Sequence, residues 1–193
     1  MIAIIDYGAG NLKSVKNTLD YLNVECIITN SAKDIIQADR LILPGDGSFG
    51  YMMKNLKKLN LAIPIKNFIE QGKPFLGICL GLQGLFETSE ESPGIEGLSI
   101  FKGKVVKFRR GKIPQIGWNK VIPNKKSIFK NEYMYFVNSY YVVPDDNSII
   151  SAITDYYGKF VSAIQFNNVT AMQFHPEKSG KEGIELIKRW LKC

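Results

Sequence analysis

The chain begins with an unbroken apolar run, Ile2–Ile5, and ends with apolar residues at helical spacing, Ile184, Ile187, Trp190 and Leu191. Between these ends the pattern divides in two. In the first half, short apolar runs alternate with amphipathic stretches. Strands are expected at Ile2–Ile5, Val24–Ile28 and Arg40–Leu43, with helices over roughly Asn11–Leu22 and from about Ser48 and about Pro64. Pro74–Ile78 is a further apolar run, with a Gly-Lys-Pro turn before it and a Gly-rich helix start after it. Runs without polar alternation belong to strands covered on both faces, as in a parallel sheet between helices. From Gly103 to Gln173 short strands are separated by Pro, Gly, Asn-Asn or Asp-Asp turns, among them Ile149–Thr154, Val161–Gln165 and Thr170–Phe174, and antiparallel sheet is expected there. Ser179 with Glu182 has the capping-box spacing for a closing helix.

The expected fold is therefore α/β: an open, mostly parallel central sheet flanked by helices, with an additional antiparallel strand region. With 193 residues and no repeat or linker, one domain spanning 1–193 is expected. Hydrophobic residues make up 45% and charged residues 22%, and no stretch approaches the ~20 apolar residues of a membrane span. The N-terminus reaches Asp6 without a basic region, which fits a buried strand rather than a secretory signal, so a cytoplasmic chain is expected. Cys26, Cys79 and Cys193 have no metal-ligand spacing; free thiols, no metal and no cofactor are expected.

The net charge of +7 and the cluster Lys102, Lys104, Lys107, Arg109, Arg110 and Lys112 raise nucleic-acid binding as a possibility. Along Phe101 to Phe108, however, basic and apolar residues alternate with a period near two, which describes a half-exposed strand with a solvated face. No nucleic-acid partner is expected.

The chemistry is concentrated at two places. In Gly77-Ile78-Cys79-Leu80-Gly81 a cysteine sits between glycines at a strand-to-helix junction, the arrangement of a nucleophile elbow. The glycines allow a sharp turn where side chains would clash, the helix N-terminus favours a reactive thiolate, and the Leu80 N–H is placed to meet a developing oxyanion. An inert buried thiol is the bland alternative. The single histidine, His175, follows the apolar strand Thr170–Phe174 in the run Gln173-Phe174-His175-Pro176-Glu177. A cysteine nucleophile needs an imidazole to take its proton, and the imidazole needs an orienting group, for which Glu177 is the candidate. Pro176 biases His175 toward an extended backbone.

These two blocks, with Leu82 and Gln83 completing the first, resemble the signatures of the class I glutamine amidotransferases. The resemblance implies a catalytic triad of Cys79, His175 and Glu177. Within that family the likeness is greatest to glutaminase subunits of imidazole glycerol phosphate synthases, through Asp6–Asn11, Pro44–Gly50, Pro114–Asn119, Tyr135–Tyr140 and His175–Ser179. By resemblance, Gly45, Asp46 and Leu80 form the oxyanion hole, while Gly47, Gln83, Glu91, Ser139 and Tyr140 surround L-glutamine. The same resemblance implies that Asn11, Trp118, Tyr135 and Lys178 face a (β/α)8-barrel cyclase subunit in a heterodimer. Read physically, Pro44–Gly47 is a tight turn able to present free N–H groups, and Trp118 is either half-buried packing or an interface anchor.

Asn138 stands where that family commonly has histidine, and Asp46 where an apolar residue is common. Three alternatives therefore stay open: a paralogous glutaminase serving another synthase, such as one that amidates a sugar; an interaction subunit without turnover; and a stand-alone cysteine hydrolase needing no partner.

Overall fold

The computed structural model describes residues 1–124 and 127–193. In chain order come β1 (Ile2–Ile5), α1 (Leu12–Tyr21), β2 (Cys26–Thr29), α2 (Ala32–Gln37), β3 (Arg40–Leu43), α3 (Phe49–Lys58), α4 (Ala62–Glu70), β4 (Phe75–Ile78) and α5 (Leu80–Gln83). There follow β5 (Thr88–Ser89), β6 (Gly103–Lys107), β7 (Gln115–Pro123), β8 (Glu132–Asn138), β9 (Tyr140–Pro144), β10 (Ile150–Asp155), β11 (Lys159–Phe166), β12 (Val169–Met172) and α6 (Gly180–Leu191).

Among the described residues the strands form one sheet, whose main path runs β2-β1-β3-β4-β12-β11-β10-β7-β8. The first five are parallel neighbours and the rest of the path is antiparallel; β9 branches from β11 and pairs in turn with β6. The alternation of side chains along β1 assigns the two layers. Ala3 and Ile5 pack with Ile35 of α2, Phe49, Met52 and Leu56 of α3, and Ile65 and Phe68 of α4. Ile2 and Ile4 pack on the opposite face with Val15 and Leu19 of α1 and Leu186, Ile187 and Trp190 of α6. Both faces of the parallel strands are covered, as their continuous apolar runs require.

The structure departs from the sequence reading in three places, at α2, at the start of α4 and at Ser179. α2 was not expected: it is six residues long and buries only Ile35, too little to establish a helical repeat. α4 starts at Ala62, so Pro64 lies in the first turn, where its missing N–H costs nothing. Trp118 is 55% exposed. The capping box at Ser179 does not form. Its hydroxyl instead donates to the His175 carbonyl at 2.6 Å and accepts the Tyr135 N–H at 2.9 Å, bonding the loop after β12 to β8. The basic stretch does form a half-exposed strand, with Val105 of β6 buried and Lys104 and Lys107 exposed. No helix among the described residues is long and apolar enough to cross a membrane.

The pairing of β4 with β12 positions the site. The two strands are adjacent and parallel, Met172 opposes Ile78, and the Cys79 N–H donates to the Met172 carbonyl at 2.7 Å. The residues leaving the two strands therefore emerge side by side at the carboxyl end of the sheet, where α/β proteins bind ligands.

Trp190 is 1% exposed, and the Arg40 guanidinium lies 5.5 Å from its ring centre. Trp190→Ala is expected to lower stability by about 3–5 kcal/mol in urea unfolding, as for large-to-small changes in a packed core; a loss below about 1 kcal/mol would contradict the role of α6 as a covering layer.

Candidate active site

Cys79 has φ +54° and ψ −107°, a left-handed conformation that costs a residue with a side chain about 1–3 kcal/mol. The flanking glycines explain how so tight a turn is held. A Cβ on Gly81 would lie 1.9 Å from the Leu43 carbonyl oxygen, and one on Gly77 would lie 2.8 Å from that of Gly81. The loop thus packs against β3 as no other residue would permit. α5 is a single turn, so the dipole contribution at Cys79 is limited to the N–H groups of that turn.

On the adjacent strand end, His175 is extended, as Pro176 requires, and a 3-10 turn over Pro176–Lys178 brings Glu177 back to the imidazole. Nδ1 of His175 lies 2.8 Å from Oε1 of Glu177, and both side chains are 3% exposed. The Cys79 sulfur, whose thiol donates to the Val137 carbonyl at 3.8 Å, stands near enough to the ring to act on its charge. Burial by itself lowers the imidazole pKa, but the facing Cys79 sulfur and the Glu177 carboxylate outweigh it and push the pKa up to about 10. The His175 backbone N–H donates to the Tyr135 carbonyl at 2.9 Å, so β8 holds the histidine backbone as well as Ser179.

Gly45, Asp46, Gly47, Cys79, Leu80, Gln83, Glu91, Ser139 and Tyr140 all line one cleft of about 230 Å³, completed by Pro114, Val137 and Asn138. Its volume is below the roughly 300–1,000 Å³ of sites for drug-sized ligands and suits a small polar molecule. Cys79 is at the cleft wall, while His175 and Glu177 lie outside the lining. Facing sulfur, imidazole and carboxylate in that order can carry nucleophilic acyl transfer.

Several side chains have other partners than the sequence reading gave them. The Asp46 N–H is not free: it donates to Oη of Tyr7 at 3.2 Å, and that hydroxyl donates to the Asp46 carbonyl at 3.3 Å. The Asp46 side chain itself is exposed. Oε2 of Glu91 accepts the Phe49 N–H at 2.7 Å and so sits at the N-terminus of α3. Nε2 of Gln83 donates to the Tyr140 carbonyl at 3.2 Å and to Oε1 of Gln173 at 3.1 Å. Asn138 donates to the Tyr140 carbonyl at 3.0 Å, while its buried Oδ1 has no hydrogen-bond partner among the described residues.

Gln173 was missed as a site residue. It is fully buried, and its Nε2 lies 3.6 Å from Sγ of Cys79, completing a chain from the Tyr140 carbonyl through two amides to the sulfur. The available signal was a polar residue inside the apolar run that ends at Phe174.

The four residues assigned to a partner face lie apart from the cleft lining. Trp118 and Tyr135 oppose each other on the β7–β8 pair with ring centres 6.1 Å apart, and exposed Ile116 and Tyr133 extend the same surface. Asn11 directly precedes α1 and Lys178 lies in the 3-10 turn; these two elements touch.

As the only histidine, His175 gives a single imidazole NMR signal. That signal is expected to remain in the charged form through neutral pH and to titrate near 10; in Cys79→Ala and in Glu177→Gln the midpoint should fall. The folded value lies above the unfolded ~6.5. The associated stabilisation is therefore complete below that pH and is lost as pH rises toward about 10. A wild-type midpoint near the unfolded value would overturn the assigned electrostatics.

The Glutamine amidotransferase class-I family model matches residues 3–192. The chain is 48% identical to the Imidazole glycerol phosphate synthase subunit HisH of Aquifex aeolicus, covering 97% of this chain and 94% of that one. It is also 48% identical to the HisH subunit of Pyrococcus furiosus, over 98% of this chain and 97% of that one. A crystal structure described as a glutamine amidotransferase superposes with a TM-score of 0.81 over 100% of this chain and 98% of that one; at 16% identity it attests to the fold alone. The chain belongs to the class-I glutamine amidotransferase family.

Proposed function

We propose that this chain is the glutaminase subunit of an imidazole glycerol phosphate synthase, hydrolysing L-glutamine and passing the ammonia to a cyclase subunit for histidine biosynthesis. The observation that carries the reaction is the line of buried contacts from Cys79 at the cleft through His175 to Glu177. The near-full-length likeness to HisH subunits supports the pathway over a sugar-amidating synthase.

In this reading Sγ of Cys79 attacks the carboxamide carbon of glutamine, and the carbonyl electrons move to oxygen, facing the Leu80 N–H. As that oxyanion collapses, the C–N bond breaks and the imidazolium of His175 delivers its proton to the departing ammonia. A glutamyl thioester remains on Cys79. Neutral His175 then takes a proton from water, the water oxygen attacks the thioester carbon, and glutamate leaves with the sulfur restored. Glu177 holds Nδ1 of the ring throughout and stabilises its charged form. Glu91, Ser139 and Tyr140 stand where the amino-acid end of the substrate would lie.

The partner is a (β/α)8-barrel cyclase docking on the surface of Trp118, Tyr135, Ile116 and Tyr133. An exposed cluster of aromatic and aliphatic side chains is the composition of an interface core, and it favours a subunit over a stand-alone hydrolase.

Glutamate release should be measured with the chain alone, then with the cyclase of the same organism and its phosphorylated ribonucleotide ligand. Release is expected with cyclase and ligand and is expected to vanish in Cys79→Ala; silence with the cyclase would refute the pathway assignment. Trp118→Ala is expected to weaken subunit association by about tenfold or more, the loss of a central aromatic anchor, as read by calorimetric titration. Unchanged affinity would place the interface elsewhere.

A further inference from the structure

One buried side chain beside the nucleophile has no part in the triad. Gln173 directly follows β12, is fully buried, and gives its backbone N–H to the Ser162 carbonyl of β11 at 2.9 Å. Its Nε2 stands 3.6 Å from Sγ of Cys79, and its Oε1 accepts from Nε2 of Gln83 at 3.1 Å. An amide is costly to bury unless both its ends are bonded, and here both are.

We propose that Gln173 is a further catalytic residue: its side-chain N–H supports the charged sulfur of Cys79 before attack and meets the charge again when the thioester breaks. The inference rests on the glutaminase reading.

The direction of the amide is fixed by its neighbours. The Tyr140 carbonyl can only accept, so Gln83 turns Nε2 toward it at 3.2 Å, and the same Nε2 then meets Gln173. Two donors do not bond each other; Gln173 therefore offers Oε1 to Gln83 and is left with Nε2 for the sulfur. A thiol can donate, and that of Cys79 has the Val137 carbonyl at 3.8 Å, whereas a thiolate can only accept. The Val137 carbonyl thus favours the neutral sulfur and the Gln173 N–H the charged one.

The titratable groups that interact with this sulfur are the His175 imidazole, backed by Glu177, and the Tyr7 phenol, whose pKa burial pushes above the usual tyrosine range. Gln173 differs from them in having no proton to gain or lose. Its support for the anion is therefore the same at every stage of the proton transfers. That constancy matters in the second half of the reaction. Once water has added to the thioester, the C–S bond breaks, its electron pair returns to sulfur, and the new carboxyl loses its proton to solvent. The Gln173 N–H is then a donor already in place for the returning charge.

The test uses the full chain with Gln173→Met, which keeps length and burial and removes the donor. Alkylation of Cys79 by iodoacetamide, followed across pH by mass spectrometry of its peptide, needs neither glutamine nor cyclase. A hydrogen bond to a charged group is worth about tenfold in an equilibrium, so the apparent midpoint of the alkylation rate is expected to rise by about one pH unit. Above both midpoints the variant is expected to react about threefold faster, because a more basic thiolate is the better nucleophile. A structural defect would not raise midpoint and plateau together. With cyclase and ribonucleotide, kcat for glutamate release is expected to fall about tenfold. A folded variant with an unshifted midpoint, or with unchanged kcat, would overturn the proposal. Should the variant fail to fold, the side-chain amide signals of Gln173 in the wild-type chain decide. One of its protons is expected to shift with the midpoint of the alkylation rate, and invariance would overturn the bond to sulfur. A wild-type complex that releases no glutamate overturns the glutaminase reading, and the catalytic role falls with it even where the midpoint shifts.

Discussion

The hydrogen bond from the Cys79 N–H to the Met172 carbonyl is the contact on which the site depends. It closes the ladder between β4 and β12, parallel strands far apart in sequence, and makes their carboxyl ends coincide. From one end the chain turns sharply at Cys79; from the other it continues extended through Phe174 to His175. Were the two strands separated by another, sulfur and imidazole would stand more than one strand spacing of about 4.8 Å apart and could not share a proton. The antiparallel strands serve the same geometry from the far side, since β8 holds the backbone of His175 and the hydroxyl of Ser179, while Val137 to Tyr140 close the cleft.

Electrostatics follows from this placement. A histidine buried without partners loses its charge. Here a sulfur on one side and a carboxylate on the other reverse that tendency and raise the imidazole pKa, which favours the charged ring although it is only 3% exposed. Glu177 can act only because the 3-10 turn returns it to Nδ1; removing its charge would leave the ring buried with one partner fewer. The left-handed strain at Cys79 belongs to the same arrangement, for it lifts the sulfur into the cleft while its N–H stays on the ladder.

Much of the parallel half was legible in the sequence because strands covered on both faces must be continuously apolar, as Ile2–Ile5 and Phe75–Ile78 are. The glycines beside Cys79 and the proline beside His175 carried backbone information as well as chemistry. α2 was hidden because a single buried isoleucine makes no period. Ser179 had the right spacing for a cap, but Tyr135 and the His175 carbonyl claim its hydroxyl, and only the folded chain shows that competition. Gln173 and the Tyr7 hydroxyl were missed for a related reason: each bonds to a residue distant in sequence, Cys79 and Asp46 respectively, and no local pattern records such contacts. Asp46 illustrates the limit best. Its unusual carboxylate draws attention in the sequence, yet that side chain is exposed, and it is the backbone of the residue that is engaged.

The most direct test of the central claim, that Cys79 and His175 meet in order to form and break an acyl–sulfur bond, is mass spectrometry of the complex quenched in acid during turnover of glutamine. A glutamyl adduct is expected on the peptide containing Cys79, and on neither Cys26 nor Cys193. Active turnover with no adduct on Cys79, or with the adduct on another residue, would contradict it.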